Sequence, residues 1–512
     1  MSEQNNNKTI AKNAFFLYVR MLLSLVVSLY TSRVVLQVLG ISDYGIYSIV
    51  GGVVVLFNFL NASMSGATSR FLTFEIGKGN KENINRVFGN ALAVHLIITV
   101  VVAVLLETVG LWLLSNKLVI APDRMFAAHV VYQLSVLSTL AGITQVPYNA
   151  SIIAHEKMDI YAYVELANVT LKLLIVYLLC IGNYDKLILY GVLMLMVSVL
   201  IMLAYRYYGW THFEECRQRP SIDKATFQPM FAYAAWGLYG DGCYSLRQQG
   251  TNILLNMFFG TVVNAANGLA STVLSVVSSF VQTVLTAFRP QIIKSYAVGD
   301  IRRMEQLMTY ATRYSFLLMG LMTIILSCEM DFILGLWLKD VPPYTPWICR
   351  IILISFCVVT CSFVASAGIQ ASGAVKYHSF LMGTISLFGV LPCTYLLLKL
   401  GYSPYSAYVC YGIFTILMYI CALFILKKQI PGVHLSLILV KGMAPIVCVL
   451  VLATITCLAL VLWVPDGFLR VVYVGVVSIL LTIVLMYLFV MNQEEKAMAA
   501  RLLTKLKNKF VK

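Results

Sequence analysis

A chain of 512 residues that is 60% hydrophobic and only 12% charged, with a mean hydropathy of +0.84, carries more apolar surface than a water-soluble core can bury. Its formal charge of +15 would suit nucleic acid, but the basic residues lie in short loops between apolar runs, which excludes a basic nucleic-acid face and leaves a polytopic membrane protein. No segment between those runs is long enough for a soluble catalytic or nucleotide-binding domain.

A hydrocarbon core about 30 Å thick takes roughly 20 helical residues to cross, with every backbone hydrogen bond made inside the helix. Runs of that length recur about fourteen times. The predicted all-α architecture has spans near 14–32, 45–66, 88–114, 125–148, 159–181, 187–208, 228–258, 262–288, 308–337, 346–370, 378–399, 404–426, 442–463 and 468–491. The polar residues 1–13 lead straight into the first span without a small-residue cleavage site, so that span is expected to be retained. A cytoplasmic tail at 1–13 then precedes an N-lobe at 14–208. A cytoplasmic linker follows at 209–227, a C-lobe at 228–426, two more spans within 427–491, and a tail at 492–512. In that tail Met498, Leu502, Leu506 and Phe510 recur every fourth residue among Lys and Arg. This is the pattern of a basic amphipathic helix on the inner membrane face, or else of a solvated tail.

Most of the 37 Lys and Arg fall on alternate loops and both termini. The positive-inside rule therefore places both ends in the cytoplasm. Arg70, Lys78, Lys81 and Arg86 share one inner loop, Arg289, Lys294, Arg302 and Arg303 another, and Lys427 with Lys428 a third. Their expected work is to set orientation and to meet anionic membrane lipids.

The 12 cysteines are mostly in apolar spans, with Cys357 and Cys361 one turn apart and Cys216 in a loop. They form neither a disulfide framework nor a zinc pattern. His95, His129 and His378 are scattered likewise. Gly77-Lys78-Gly79 lacks the upstream glycine and the hydroxyl residue of a phosphate-binding loop. Catalytic carboxylates on a long outer loop are missing too, the outer loops offering only Asp43, Asp123, Asp185, Asp340 and Asp466. The expectation is a protein without enzymatic activity, cofactor or metal, Asp43 being the one carboxylate left open as a catalytic group.

The two halves align without a gap at an offset of 220. Thr31 falls over Thr251, Gly40 over Gly260, Ala67 over Ala287 and Gly79 over Gly299. Both halves run span, glycine, span, then an inner loop opening on Arg70 or on Arg289-Pro290. Six spans fit in that offset, so both copies enter the membrane in the same direction. They should be two lobes related by an axis along the membrane normal, with a cavity between them.

Charged and polar residues inside spans mark such a cavity, because an Arg, Lys or Asp at mid-helix costs about 2.5–3.5 kcal/mol in lipid. Span 7 carries Asp241, Tyr244, Ser245, Arg247, Gln248, Gln249 and Asn252 in or near its middle. Asp241 and Arg247 lie about 240° apart around the helix, poorly placed to neutralise one another. Span 1 carries Arg20 and Arg33, which either face the cavity or reach back to an interface. Glu165 and Lys172 of span 5 share a helix face about 10.5 Å apart. They are partners of Asp241 or Arg247, or a structural pair. Glu107, Glu329 and Asp331 sit near outer helix ends and are expected at the interface. Arginines at several heights suit a diphosphate, which a guanidinium binds bidentately.

The stretch TSRVVLQVLGISDYGIYSIV, with Arg33, Gly40 and Asp43-Tyr44-Gly45, resembles the first-to-second span signature of the polysaccharide transporter family. The Arg70 and Gly79 loop and its counterpart FRPQIIKSYAVGD are similar to that family as well. This is the Wzx-type flippase branch of the multidrug/oligosaccharidyl-lipid/polysaccharide exporter superfamily. The resemblance implies a MATE-like fold of two six-helix lobes; the two further C-terminal spans depart from many Wzx-type members and are closer to lipid II flippases. It implies transfer of an undecaprenyl-diphosphate-linked oligosaccharide from the cytoplasmic to the periplasmic leaflet of a bacterial inner membrane, by alternating access. Polysaccharide assembly proteins are the further partners it implies. The expected diphosphate and sugar contacts are Arg20, Arg33, Arg247, Tyr244, Gln248 and Asn252. Asp241, Glu165 and Lys172 are expected to couple an ion or pair within the membrane. The alternatives are a lipid II flippase, a cation-coupled multidrug exporter and a membrane glycosyltransferase or polymerase.

Overall fold

A computed structural model describes residues 3–55, parts of 64–76, 80–155, 157–179, 181, 184–372, 374–491, 493 and 495–496, with side chains from residue 26 onward apart from a few helix positions. The amphipathic tail with Met498, Leu502, Leu506 and Phe510, the loop residues Arg70, Lys78 and Gly79, and the side chain of Arg20 lie outside the described residues.

The described chain is all helix. In order the helices are α1 (Glu3–Val55), α2 (Lys81–Leu105), α3 (Met125–Ala154), α4 (Met158–Leu178), α5 (Lys186–His212), α6 (Lys224–Phe259) and α7 (Thr261–Ala297). They continue with α8 (Ile301–Cys328), α9 (Met330–Trp337), α10 (Thr345–Ala371), α11 (Val375–Thr384, carried on through a π turn to Leu391–Lys399), α12 (Tyr405–Gln429), α13 (Ala444–Trp463) and α14 (Phe468–Leu485). Among the described residues twelve helical stretches are long and apolar enough to cross a membrane. The expected first span and residues 45–55 of the second fall on α1, residues 56–63 lying outside the described residues, and the polar middle of α6 takes that 36-residue helix off the apolar list. Large apolar side chains line the outside: Phe126, Leu462, Trp463 and Phe489 are each at least 75% exposed. Such surface suits lipid and not water.

Local chemistry sets the breaks. Asn80, Asp185, Asp223 and Asp300 begin α2, α5, α6 and α8 as N-caps, each side chain accepting from backbone N–H groups of the first turn. A π turn at Leu106–Gly110 extends α2, and the Tyr132 hydroxyl of α3 donates to the Leu106 carbonyl there at 2.7 Å. The kinks that matter most are at Gly40 (φ 78, ψ 169) and Gly260 (φ 73, ψ −167). Both are left-handed and extended, a conformation that costs glycine little and other residues much. These are the two glycines the 220-residue repeat superimposes, and helix restarts immediately after each.

The chain divides into two compact units. Unit 1 holds residues 1–272, 337–345 and 379–410, and unit 2 holds 273–336, 346–378 and 411–512. In unit 1 the helix after Gly40 crosses the helix after Gly260 so closely that a Cβ on Gly45 would collide with the Thr261 carbonyl. One on Gly268 would lie 2.8 Å from the Ser48 hydroxyl. Residues 48 and 268 are repeat equivalents. Equivalent positions touch each other only where a twofold axis passes between them.

Unit 1 also pins the linker after α5. Ser221 N–H donates to the Gly89 carbonyl at 3.1 Å and Asp223 N–H to the Asn90 side chain at 2.8 Å. Glu215 is buried, meeting His155 at 2.7 Å and Ser151 at 2.9 Å. Burial opposes its ionisation, but the His155 and Ser151 hydrogen bonds outweigh that and hold the carboxyl below its usual range. Unit 2 closes on ion pairs of its own. Arg470 of α14 grips the fully buried Glu329 at 2.9–3.1 Å and also Asp466. Arg313 of α8 meets Glu495 at 3.0 Å. The expectation of an interfacial Glu329 is therefore corrected: at 1% exposure it is a core ion pair, with its partner 141 residues away.

Candidate functional site

The restart after Gly40, the polar middle of α6 and the start of α7 enclose a cavity of about 310 Å³ in unit 1. Its walls carry Tyr44, Tyr47 and Ser48 from α1, Gln248, Gln249 and Asn252 from α6, and Asn267 and Ser271 from α7. Gly51, Gly52 and Gly268 supply the space. A Cβ on Gly52 would lie 2.7 Å from Gln249 Oε1 and 2.8 Å from Asn252 Nδ2, so the glycine lets carboxamides approach the α1 backbone.

Asn252 is ordered by a buried chain of hydrogen bonds. The Tyr408 hydroxyl donates to Asn267 Oδ1 at 2.9 Å, and Asn267 Nδ2 donates to Asn252 Oδ1 at 3.1 Å. Asn264 Nδ2 donates to the same oxygen at 2.7 Å, Asn256 Nδ2 to Asn264 Oδ1 at 2.7 Å, and Val119 N–H to Asn256 Oδ1 at 2.7 Å. With its oxygen taken twice, Asn252 turns its amide nitrogen toward Gly52 and the cavity. A satisfied network of this kind fixes side-chain orientation without fixing charge. It leaves donors and acceptors mixed on an uncharged wall, which matches hydroxyl-rich ligands.

Tyr44 and Tyr47 are shared with a second cavity of about 420 Å³. Ser28, Thr31 and Ser32 of α1, Glu165, Asn168 and Lys172 of α4, and Tyr190 of α5 line it. The Tyr47 and Tyr190 rings meet edge to face at 4.7 Å. Glu165 accepts from the Tyr205 hydroxyl at 3.1 Å. These two cavities hold one carboxylate between them, Glu165.

The structure thus brings Gln248 and Asn252 into the first cavity and Glu165 and Lys172 into the second. Arg247 faces elsewhere on α6. It is 7% exposed, its guanidinium stacks 4.9 Å from the Tyr244 ring, and it lines neither cavity. Tyr244 and Asp241 are exposed on α6, and Arg33 is exposed on α1. Sequence reasoning passed over Tyr44, Tyr47, Tyr190 and Asn267 as cavity residues. The repeat carried a signal for two of these elements, since Ser48 and Gly268 sit at equivalent positions.

Asp43, left open as a catalytic group, is occupied. Arg124, at the start of α3, donates to it from Nε at 2.9 Å and Nη2 at 2.6 Å, and to Asp185 from Nη1 at 2.6 Å and Nη2 at 3.1 Å. Two bidentate pairs on one guanidinium tie α1, α3 and α5 together. The Arg124 hydrogen bonds hold the Asp185 carboxyl below its ordinary range.

No protein-family model matches the chain, and no curated protein matches it in sequence. Solved structures do match in fold. The lipid II flippase MurJ in an inward closed conformation aligns with a TM-score of 0.69 at 12% identity, over 94% of this chain and 98% of its own. An inward-facing multidrug resistance MATE family transporter of the MOP superfamily aligns with a TM-score of 0.65 at 12% identity, over 80% and 96%. A MOP superfamily transporter from Pyrococcus furiosus, described as having a binding pocket of reverse polarity, aligns with a TM-score of 0.60 at 14% identity, over 82% and 96%. The chain has the MATE-like fold of MOP superfamily transporters and is a multi-pass membrane protein.

Proposed function

We propose that the protein is a flippase for a polyprenyl-diphosphate-linked oligosaccharide, moving it between leaflets by alternating access. One observation carries the reading: the uncharged wall of Gln248, Gln249, Asn252, Asn267, Ser48 and Ser271 beside Tyr44 and Tyr47. Carboxamides donate and accept like the hydroxyls they would meet, and tyrosine faces pack on sugar rings. An exporter of organic cations would instead gather carboxylates. The diphosphate is assigned to Arg33 and Arg20 of α1, where a guanidinium stays charged at any depth. Arg247 is assigned to holding the α6 surface around Tyr244 in place for the same group. The setting is a bacterial inner membrane with both termini in the cytoplasm, and polysaccharide assembly proteins act on the product. Lipid II is the second reading, favoured by the extent of the likeness to MurJ.

The test is translocation in proteoliposomes containing the purified full-length protein. A fluorescent polyprenyl diphosphate disaccharide should become accessible on the opposite leaflet at least about tenfold faster than in empty vesicles. Asn252→Leu should remove most of that gain, since it takes away a bond worth about 1 kcal/mol or more per sugar contact and removes the acceptor that orders Asn267. Rates no faster than empty vesicles, or efflux of a cationic dye in place of the lipid, would overturn the reading. Transport of lipid II with no disaccharide transport would shift it to the second.

A further inference from the structure

The larger cavity differs from its neighbour in holding charge: Glu165 and Lys172 both line it, and the ammonium has no hydrogen-bonded partner among the described residues. Glu165, Asn168 and Lys172 stand at i, i+3 and i+7 of α4 and all line it. Glu165 has the Tyr205 hydroxyl. No hydrogen bond or ion pair reaches Lys172 among the described residues; Glu165, two turns away on the same helix, acts on it through its longer-range field. The Thr31 hydroxyl, on the facing wall, is buried and likewise has no hydrogen-bond partner among the described residues. A lone ammonium inside an apolar helix bundle is costly unless water or an anion meets it. A lone buried hydroxyl adds to that cost. Lys172 and Thr31 thus both line a space of about 420 Å³, within the roughly 300–1,000 Å³ of small-ligand pockets.

Resting on the flippase reading, we propose that this cavity selects an acidic sugar, one bearing a carboxylate. Lys172 pairs with the carboxylate, Thr31 and Asn168 meet ring hydroxyls, and the Tyr44 and Tyr47 walls pack on the ring. Charge balance favours a monoanion over the lipid's own diphosphate. The cavity also holds Glu165, which accepts from sugar hydroxyls but repels a group carrying two or more negative charges. Lysine, unlike arginine, offers a point charge and no planar fork for phosphate oxygens.

The experiment uses the full-length protein in proteoliposomes with two polyprenyl diphosphate disaccharides, one ending in glucuronate and one in glucose. In parallel, quenching of tyrosine fluorescence reports binding of free glucuronate, glucose and inorganic pyrophosphate. The glucuronate lipid should move about tenfold faster than the glucose lipid, as expected for one charge-assisted contact. Lys172→Met should bring the two rates together at the glucose level, and Lys172→Arg should keep the preference. Free glucuronate should quench at lower concentration than glucose, in a Lys172-dependent way. Equal rates in the wild type, a preference that survives Lys172→Met, or Lys172-dependent binding of pyrophosphate in preference to glucuronate would each overturn the acidic-sugar assignment while leaving the flippase reading standing. Failure to move either lipid would sink both.

Discussion

Arg124 and Lys172 are two cations of unit 1 that the fold handles in opposite ways. Arg124 sits at a helix start and is locked between Asp43 and Asp185 by four hydrogen bonds of 2.6–3.1 Å. Lys172 sits inside a span, lines a cavity, and has no such partner among the described residues. The first spends its charge on holding three helices together. The second makes no hydrogen bond or ion pair among the described residues and feels only the longer-range field of Glu165, the arrangement on which the acidic-sugar proposal rests. The same contrast separates the buried asparagine chain, satisfied internally, from the amide of Asn252 that it turns toward open space.

Removing each cation in turn separates the two roles. The largest effect belongs to Arg124→Ala, which strands two carboxylates. It should cost about 2–3 kcal/mol, less than a fully buried pair because the three side chains keep 18–31% exposure. A lowered thermal midpoint in detergent would register it, and an unchanged midpoint would show that the clamp is idle. A smaller effect belongs to Asp185→Asn, at about 1 kcal/mol, because asparagine still caps α5. Acid sharpens the point. Asp185 has its folded pKa depressed, by the Arg124 hydrogen bond first, so its contribution is present above the unfolded value near 3.9 and is lost as pH falls through the lower folded value. Wild-type stability should therefore fall more steeply below about pH 4 than that of Asp185→Asn. The smallest effect belongs to Lys172→Met, which removes no hydrogen bond or ion pair among the described residues and should leave the midpoint within about 0.5 kcal/mol or raise it. A large loss there would mean that Lys172 is structural after all.

Much of the fold was legible because crossing a bilayer dictates run length and apolarity, and because glycine is demanded where the backbone turns left-handed. Gly40 and Gly260 could be paired from sequence by the 220-residue register of the two halves, and both are left-handed. Gln248 and Asn252 were legible as well, since carboxamides inside a span cannot face lipid. The tyrosines were not. Tyr44 and Tyr47 look no different in sequence from interfacial tyrosines such as Tyr177 and Tyr207, both more than half exposed. Ion pairs were hidden for another reason. Asp43 and Asp185 lie 81 and 61 residues from Arg124, and Glu329 lies 141 from Arg470. Depth along a helix says nothing about a partner that far along the chain. Arg247 shows the converse: its position inside a span was plain, but only packing reveals that it leans on Tyr244 and not into either cavity.

The claim at the centre of this account is that the glycan rests against the wall formed by Tyr44, Tyr47 and the carboxamides of α6 and α7. Photocrosslinking measures this directly, with p-benzoylphenylalanine replacing Tyr47 in one preparation and the lipid-exposed Tyr177 in another, each offered a radiolabelled polyprenyl diphosphate disaccharide. The account predicts label captured at position 47 through the sugar, with little at 177. Equal capture at the two positions, or attachment at 47 only through the prenyl chain, would contradict it.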